Sequence, residues 1–226
     1  MHEGPLARAM VVVNGDDIHH DLVLASTVFR DLAVEAGFAT FSAAGTNRFT
    51  DPLPETGDAG TYLFYTAGGG FATRQQAAVS AMVHAGKGLV ALHASNVCGT
   101  VEGGALDEAD RPWFELVGNR YLSHGPGHHE GRQRIHVTAD HPVTRGIEDF
   151  ELFDEFYEFE LADDDVTVLA ERTRDDGVVI PVLYVREVGE GRVVYCALGH
   201  DMRAWGEPPF RRLVRQALAW ASGMVS

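Results

Sequence analysis

Short apolar runs alternating with amphipathic stretches limit what this chain can fold into more than any other feature. Residues 8–13 (RAMVVV), 61–66 (TYLFYT) and 88–93 (GLVALH) are almost continuously apolar, as strands covered on both faces must be. Between them, residues 21–36 set Leu22, Leu24, Ala25, Val28, Phe29, Leu32 and Ala33 at helical spacing, with Gly37 as a stop. Phe38 to Phe41 suggest another strand. Residues 73–85 predict a helix with Thr73 as N-cap and Gly86 at its end. The connection 42–60, rich in Gly, Pro and Thr, has room for a short helix that periodicity does not reveal. The first hundred residues thus read β-α-β-β-α-β, the pattern of a mostly parallel sheet with helices on both faces.

The remainder is less regular. Residues 111–117 suggest a short helix leading to a strand near 119–123, and residues 133–138 alternate as a strand. Three more strands are expected at 165–170, 178–186 and 191–198, the last two joined by a hairpin at Gly189-Glu190-Gly191. A terminal helix over 208–221 carries Phe210, Leu213, Val214, Ala217, Leu218 and Trp220 on one face. No repeat or low-complexity linker divides the chain, so 1–226 reads as a single α/β domain.

Charge narrows the partners. The net charge is −15, with 33 Asp and Glu against 18 Lys and Arg. A field of that sign repels nucleic acid and anionic membranes, and it keeps the protein soluble. A neutral ligand such as a sugar feels little penalty, whereas a strongly anionic one needs local basic groups. Two cysteines, Cys98 and Cys196, fit a reducing compartment without a disulfide framework. The opening MHEGPLARAM lacks the apolar core of a signal peptide, and no run approaches the roughly 20 apolar residues of a membrane span. A cytoplasmic location is the expectation.

Ligands of open α/β sheets bind beyond the C-terminal ends of the strands. Strand one ends in Asn14-Gly15-Asp16-Asp17, followed by His19-His20-Asp21. The strand at 88–93 ends at His93-Ala94-Ser95-Asn96, and the last strand ends at Leu198-Gly199-His200-Asp201. Three strand ends therefore deliver His, Asp or Ser to one edge. Tyr121 and His124 precede the loop Gly125-Pro126-Gly127-His128-His129, and Asp154-Glu155 lies within the aromatic run FELFDEFYEFEL. Aromatic neighbours packed inward would desolvate that acid pair and raise a carboxyl pKa toward acid–base work; on the outer face of an amphipathic strand the pair would instead be solvated.

Other motifs point away from chemistry. Ser95 lacks a G-x-S-x-G frame and reads as a capping or hydrogen-bonding group. Gly68-Gly69-Gly70 can cradle an anion, but the dinucleotide spacing and a Walker lysine are missing, so no nucleotide is expected. His141-Pro142-Val143-Thr144 reads as a turn whose side chains satisfy backbone groups.

These residues together resemble ThuA-like (trehalose-utilisation) proteins. The resemblance rests on His20-Asp21, Gly88 to Ala94, Tyr121 with His124, and His141 to Ile147. It continues through Asp154-Glu155-Phe156-Tyr157, Pro181-Val182, Gly189 to Val193, and Leu198 to Asp201, then Trp205, Pro209-Phe210 and Trp220-Ala221. It implies a flavodoxin-like three-layer sandwich of the class I glutamine amidotransferase-like type, and a role in sugar metabolism. Amidotransferases of that fold carry a nucleophilic cysteine on a sharp turn after a central strand. Here that turn holds His93-Ala94-Ser95, so their thiolate chemistry is not expected.

Two functional readings remain open on sequence. In the first, His93, His124 and His200 act as acid–base groups or bind a divalent metal such as zinc, completed by Glu155 or Asp154, and process a sugar or keto-sugar. His20, Ser95, Tyr121, Asp154, Asp201 and Trp205 are then candidate substrate contacts. In the second, the protein is a non-catalytic sugar-binding or regulatory domain in which aromatics such as Tyr65, Phe71, Trp113, Tyr121 or Trp205 stack on a pyranose ring. Homo-oligomerisation is compatible with either.

Overall fold

A computed structural model of the chain describes residues 6–15, 18–51, 54–68, 70–97 and 106–226. Asp16, Asp17, Gly69 and Cys98, which the sequence singles out, lie outside them. The chain runs β1 (Arg8–Gly15), α1 (Leu22–Glu35), β2 (Ala39–Ala44), α2 (Pro54–Asp58), β3 (Thr61–Ala67), α3 (Thr73–His84) and β4 (Gly88–Leu92). It continues through α4 (Arg111–Val117), β5 (Asn119–Ser123), β6 (Glu130–Val137), β7 (Phe150–Glu155), β8 (Glu158–Leu161), β9 (Thr167–Thr173), β10 (Val179–Val188) and β11 (Gly191–Cys196). Two helices, α5 (Met202–Trp205) and α6 (Pro208–Ala221), close it. Among the described residues no helix is long and apolar enough to cross a membrane.

Among the described residues nine strands form one sheet in the order β2-β1-β3-β4-β11-β10-β9-β6-β7, and β5 pairs with β8 in a small second sheet. The first five neighbours are parallel, and each later pair is antiparallel. The parallel half is the flavodoxin-like part. Every residue of β3 and β4 is buried, as their continuous apolar runs require. α1 packs against α6 and α3 against α4, which covers the sheet on both sides. β2 and β3 flank β1 on opposite sides, so the chain reverses its winding at the β1–β3 boundary. A crevice beyond the C-terminal ends of the strands is built into such a reversal.

Local chemistry sets most boundaries. Asp21 caps α1 by accepting from Leu24 N–H at 2.8 Å, and Gly37 leaves the helix with a left-handed φ of 93°. The N-cap of α3 is Ala72, not Thr73, because Gln75 reaches back to accept from Ala72 N–H and so replaces a capping hydroxyl. The β10–β11 hairpin has a two-residue loop, Gly189-Glu190, with a positive φ only at Gly189, which suits a II′ turn. Thr144 satisfies the 141–144 turn by accepting from His141 N–H and donating to Ala139 O. The connection 42–60 does hold a short helix, α2. The run FELFDEFYEFEL, where an amphipathic strand is one of the two sequence alternatives for Asp154-Glu155, holds two strands, β7 and β8.

Candidate active site

The strand ends converge. His93 directly follows β4, opening a short helical turn, and is the one non-glycine among the described residues with a positive φ, 49°. Such a conformation persists only where surrounding contacts impose it. Here Tyr195 Oη donates to His93 O at 3.1 Å, and His93 Nδ1 lies 2.8 Å from Ala197 O. A carbonyl can only accept, so Nδ1 carries a proton and Nε2 is the ring nitrogen that faces the site.

His200, just beyond β11, is held by its backbone. Its N–H donates to Asp154 Oδ1 at 2.9 Å, and its carbonyl accepts from Tyr65 Oη at 2.6 Å. Gly199 N–H donates to Asp154 Oδ2 at 2.6 Å, and Glu155 N–H donates to Asp154 Oδ1 at 3.0 Å. Asp154 is thus buried and engaged by three main-chain N–H groups. Burial pushes its carboxyl above the ordinary range, while His93 and the three N–H donors pull the other way.

Glu155, at the end of β7, points into the centre. Its Oε2 lies 3.3 Å from His93 Nε2, 3.4 Å from His200 Nδ1 and 3.3 Å from His124 Nε2. His93 Nε2 and His200 Nδ1 are 3.3 Å apart. Burial pushes the Glu155 carboxyl up, but hydrogen bonding with His124 and His93, and then electrostatic attraction to His93 and His200, outweigh it and hold the group well below the usual carboxylate range. Burial, with His93 beside it, pushes His200 down and favours its neutral form.

The triangle formed by His93, His200 and Glu155 is informative. Charge-assisted N–H···O bonds run about 2.7–2.9 Å, shorter than any of its sides. Ligands held at about 2.0–2.1 Å on a tetrahedral zinc lie about 3.3–3.4 Å from one another, as these atoms do. His20 completes the group, and the ligand atoms of His20, His93, Glu155 and His200 all lie within 4.8 Å of one another. The His93 Nδ1–Ala197 contact is the outer-shell partner that a ligating histidine usually has.

His124 stands one step outside this set. It meets Glu155 through Nε2, and Tyr121 Oη through Nδ1 at 2.8 Å. A cavity of about 180 Å³ opens over Glu155, with His20, Tyr121, His124 and Tyr157 in its wall. Tyr157, whose ring lies 4.2 Å from that of His93, carries part of the family resemblance but is not among the candidate site residues read from the sequence. Burial raises its phenol well above the ordinary value, so it stays neutral.

The other expected contacts sit elsewhere. Ser95 is buried, donating to Phe64 O at 2.9 Å and accepting from Thr66 N–H, which is the hydrogen-bonding role its sequence frame suggests. Trp205 has no exposed surface: its indole N–H donates to Gly199 O, and Phe29 and Tyr65 pack on its ring. Tyr65 and Trp113 are equally buried, so none of the three offers a face to a pyranose. Asp201 caps α5 and pairs with Arg203 at 2.6 Å. Cys196 lies fully buried in β11, where burial pushes its thiol up to about 12 and removes it as a nucleophile.

Comparison with known proteins agrees with this architecture. A ThuA-like protein from Bacteroides uniformis is 17% identical, with a TM-score of 0.74 over 98% of this chain and 93% of that one. A ThuA-like protein from Parabacteroides merdae is 15% identical, with a TM-score of 0.71 over 97% and 90%. A β-galactosidase from Bacillus circulans sp. alkalophilus is 16% identical, with a TM-score of 0.62, and the match spans 95% of this chain but 31% of the galactosidase. At such identities the likeness is one of fold. None of the curated proteins matches the chain. The sequence model of the ThuA family, described as trehalose utilisation, matches residues 8–221. The chain belongs to the ThuA trehalose-utilisation family.

Proposed function

We propose that the protein is an enzyme of sugar catabolism that binds a divalent cation through His20, His93, Glu155 and His200 and acts on a sugar or keto-sugar. The observation that carries this reading is the triangle of 3.3, 3.3 and 3.4 Å between His93, Glu155 and His200. Imidazoles with one carboxylate suit zinc, and such a cation, when bound, polarises a carbonyl or a water. His124, backed by Tyr121 and in contact with Glu155, supplies a proton donor or acceptor at the cavity wall. Glu155 stays ionised, and the buried Asp154 fixes the His200 backbone so that the imidazole meets its partners.

The test is metal analysis joined to turnover. Purified protein, or apoprotein titrated with zinc, is expected to take up one equivalent per chain. His93→Ala and His200→Ala should lose that uptake and lower turnover of a keto-sugar at least 100-fold. Sugar binding without product and without metal uptake would move the protein to the class of non-catalytic sugar-binding domains.

A further inference from the structure

A larger cavity, about 420 Å³, adjoins the first and shares His124 with it. Its wall includes Gln133 of β6, Arg172 of β9, and Arg132, Arg134 and Arg174. Four of the chain's 18 basic residues therefore line one cavity of a protein whose net charge is −15. Glu130 and Asp175 share the wall, but Glu130 is bound by Arg203 at 2.6 Å. Arg174 is paired with Glu158 and Asp176, and Arg134 lies 3.8 Å from Asp149, so the positive charge left for an anionic ligand is that of Arg132 and Arg172.

Arg172 is the unusual member. It is 4% exposed, yet its Nε and Nη2 have no hydrogen-bond partner. Glu158, the acid whose charge acts on it, is taken by Arg174 at 2.6 Å. The guanidinium rests on the Phe156 ring, 5.0 Å from its centroid. Phe156 in turn lies over Gly131, where a Cβ would come within 2.9 Å of it. Buried charges are normally paired, and leaving one unpaired costs stability. Gln133 adds a second unfilled group: its Nε2 donates to Glu155 O at 3.1 Å, while its buried Oε1 accepts nothing. A cationic fork and a free acceptor in one wall call for a ligand that carries both an anion and a hydroxyl.

We propose that this cavity is an anion subsite of the same centre, in which Arg172 takes the carboxylate of a sugar acid and Gln133 accepts from one of its hydroxyls. The inference rests on reading the His93–Glu155–His200 cluster as a sugar-processing site, and it sets the substrate's direction from Arg172 past His124 to Glu155. A monocarboxylate fits better than a phosphate, because a second negative charge would be opposed by the acidic remainder of the protein.

Calorimetric titration of the full chain with D-glucuronate, glucose and glucose 6-phosphate tests it. Glucuronate should bind at least tenfold tighter than glucose, and more weakly as salt is raised. Arg172→Met should lose that tenfold advantage while its Tm equals or exceeds that of the unmodified protein, since an unpaired buried charge is replaced by an apolar chain of similar length. Arg172→Lys, which keeps the charge but not the fork, should lose at least threefold, and Gln133→Leu should weaken glucuronate more than glucose. Equal binding of glucuronate and glucose, or an Arg172→Met protein that still prefers glucuronate, would overturn the subsite. Tighter, Arg172-dependent binding of glucose 6-phosphate would overturn the carboxylate assignment. Arg172-dependent glucuronate binding in a protein without metal uptake or turnover would leave the subsite standing and remove the enzyme reading alone.

Discussion

Among single side chains, Asp154 and Glu155 are neighbours with opposite tasks. Strand geometry sends adjacent side chains to opposite sides, and here one carboxylate is consumed by main chain while the other faces the histidines. Asp154→Asn would replace an acceptor of three N–H groups with a side chain whose amide nitrogen must face at least one of them. Loss of charge-assisted bonds and one unsatisfied buried donor should cost about 2–3 kcal/mol. Urea unfolding of the variant is expected to show this loss, with zinc uptake weakened because His200 is no longer held in place. A variant as stable as the parent would mean that the three bonds contribute nothing net.

The helices and strands are seated by close approaches at their ends. Gly88 opens β4, and a Cβ there would lie 2.4 Å from Ala221 O at the C-terminus of α6 and 3.0 Å from Thr61 Oγ1 of β3. Its partner across the ladder is Arg192 of β11, and the preceding Gly191 abuts the end of α3, where a Cβ would meet Val83 O at 2.2 Å. Both helices therefore press on the N-terminal ends of the central strands, which aligns the opposite ends that carry His93 and His200. Gly88→Ala should force α6 outward and cost about 1–3 kcal/mol by overpacking. The measurement is the denaturant midpoint, and an unchanged midpoint would show that the α6 end yields freely.

Across the whole molecule, the antiparallel half is tied to the parallel half at the 141–144 turn. The His141 ring lies 5.0 Å from that of Trp220 in α6, and Gln216 donates to Val143 O at 2.8 Å. Burial first, and then Arg192 and Arg145, push His141 below its ordinary value, against a smaller opposite pull from Asp140. The unfolded chain, with histidine near about 6.5, binds this proton more readily than the folded one. The contribution of His141 is therefore complete above that pH and is lost as pH falls through it toward the depressed folded value. Melting temperatures at pH 8 and pH 5.5 should differ less for His141→Gln than for the parent, and equal differences would refute the linkage.

The parallel core, the helices on its faces and the edge where the histidines gather are legible without coordinates. Those follow from local periodicity: buried runs in β1, β3 and β4, the apolar stripes of α1 and α6, and the histidines placed where strands stop. The sequence also carried the family resemblance. Which side chains meet at that edge depends on long-range packing. His20, His93, Glu155 and His200 come from four separate strand ends, so no spacing relates them, and His20 rather than His124 shares their mutual distance. Trp205 and Ser95 lie near that edge in sequence but turn inward, because a side chain's direction depends on the packing around it. Arg172 and Gln133 are visible in the sequence as ordinary polar residues of strands. Their burial without partners is a property of how β6 and β9 meet Phe156, and no local pattern encodes it.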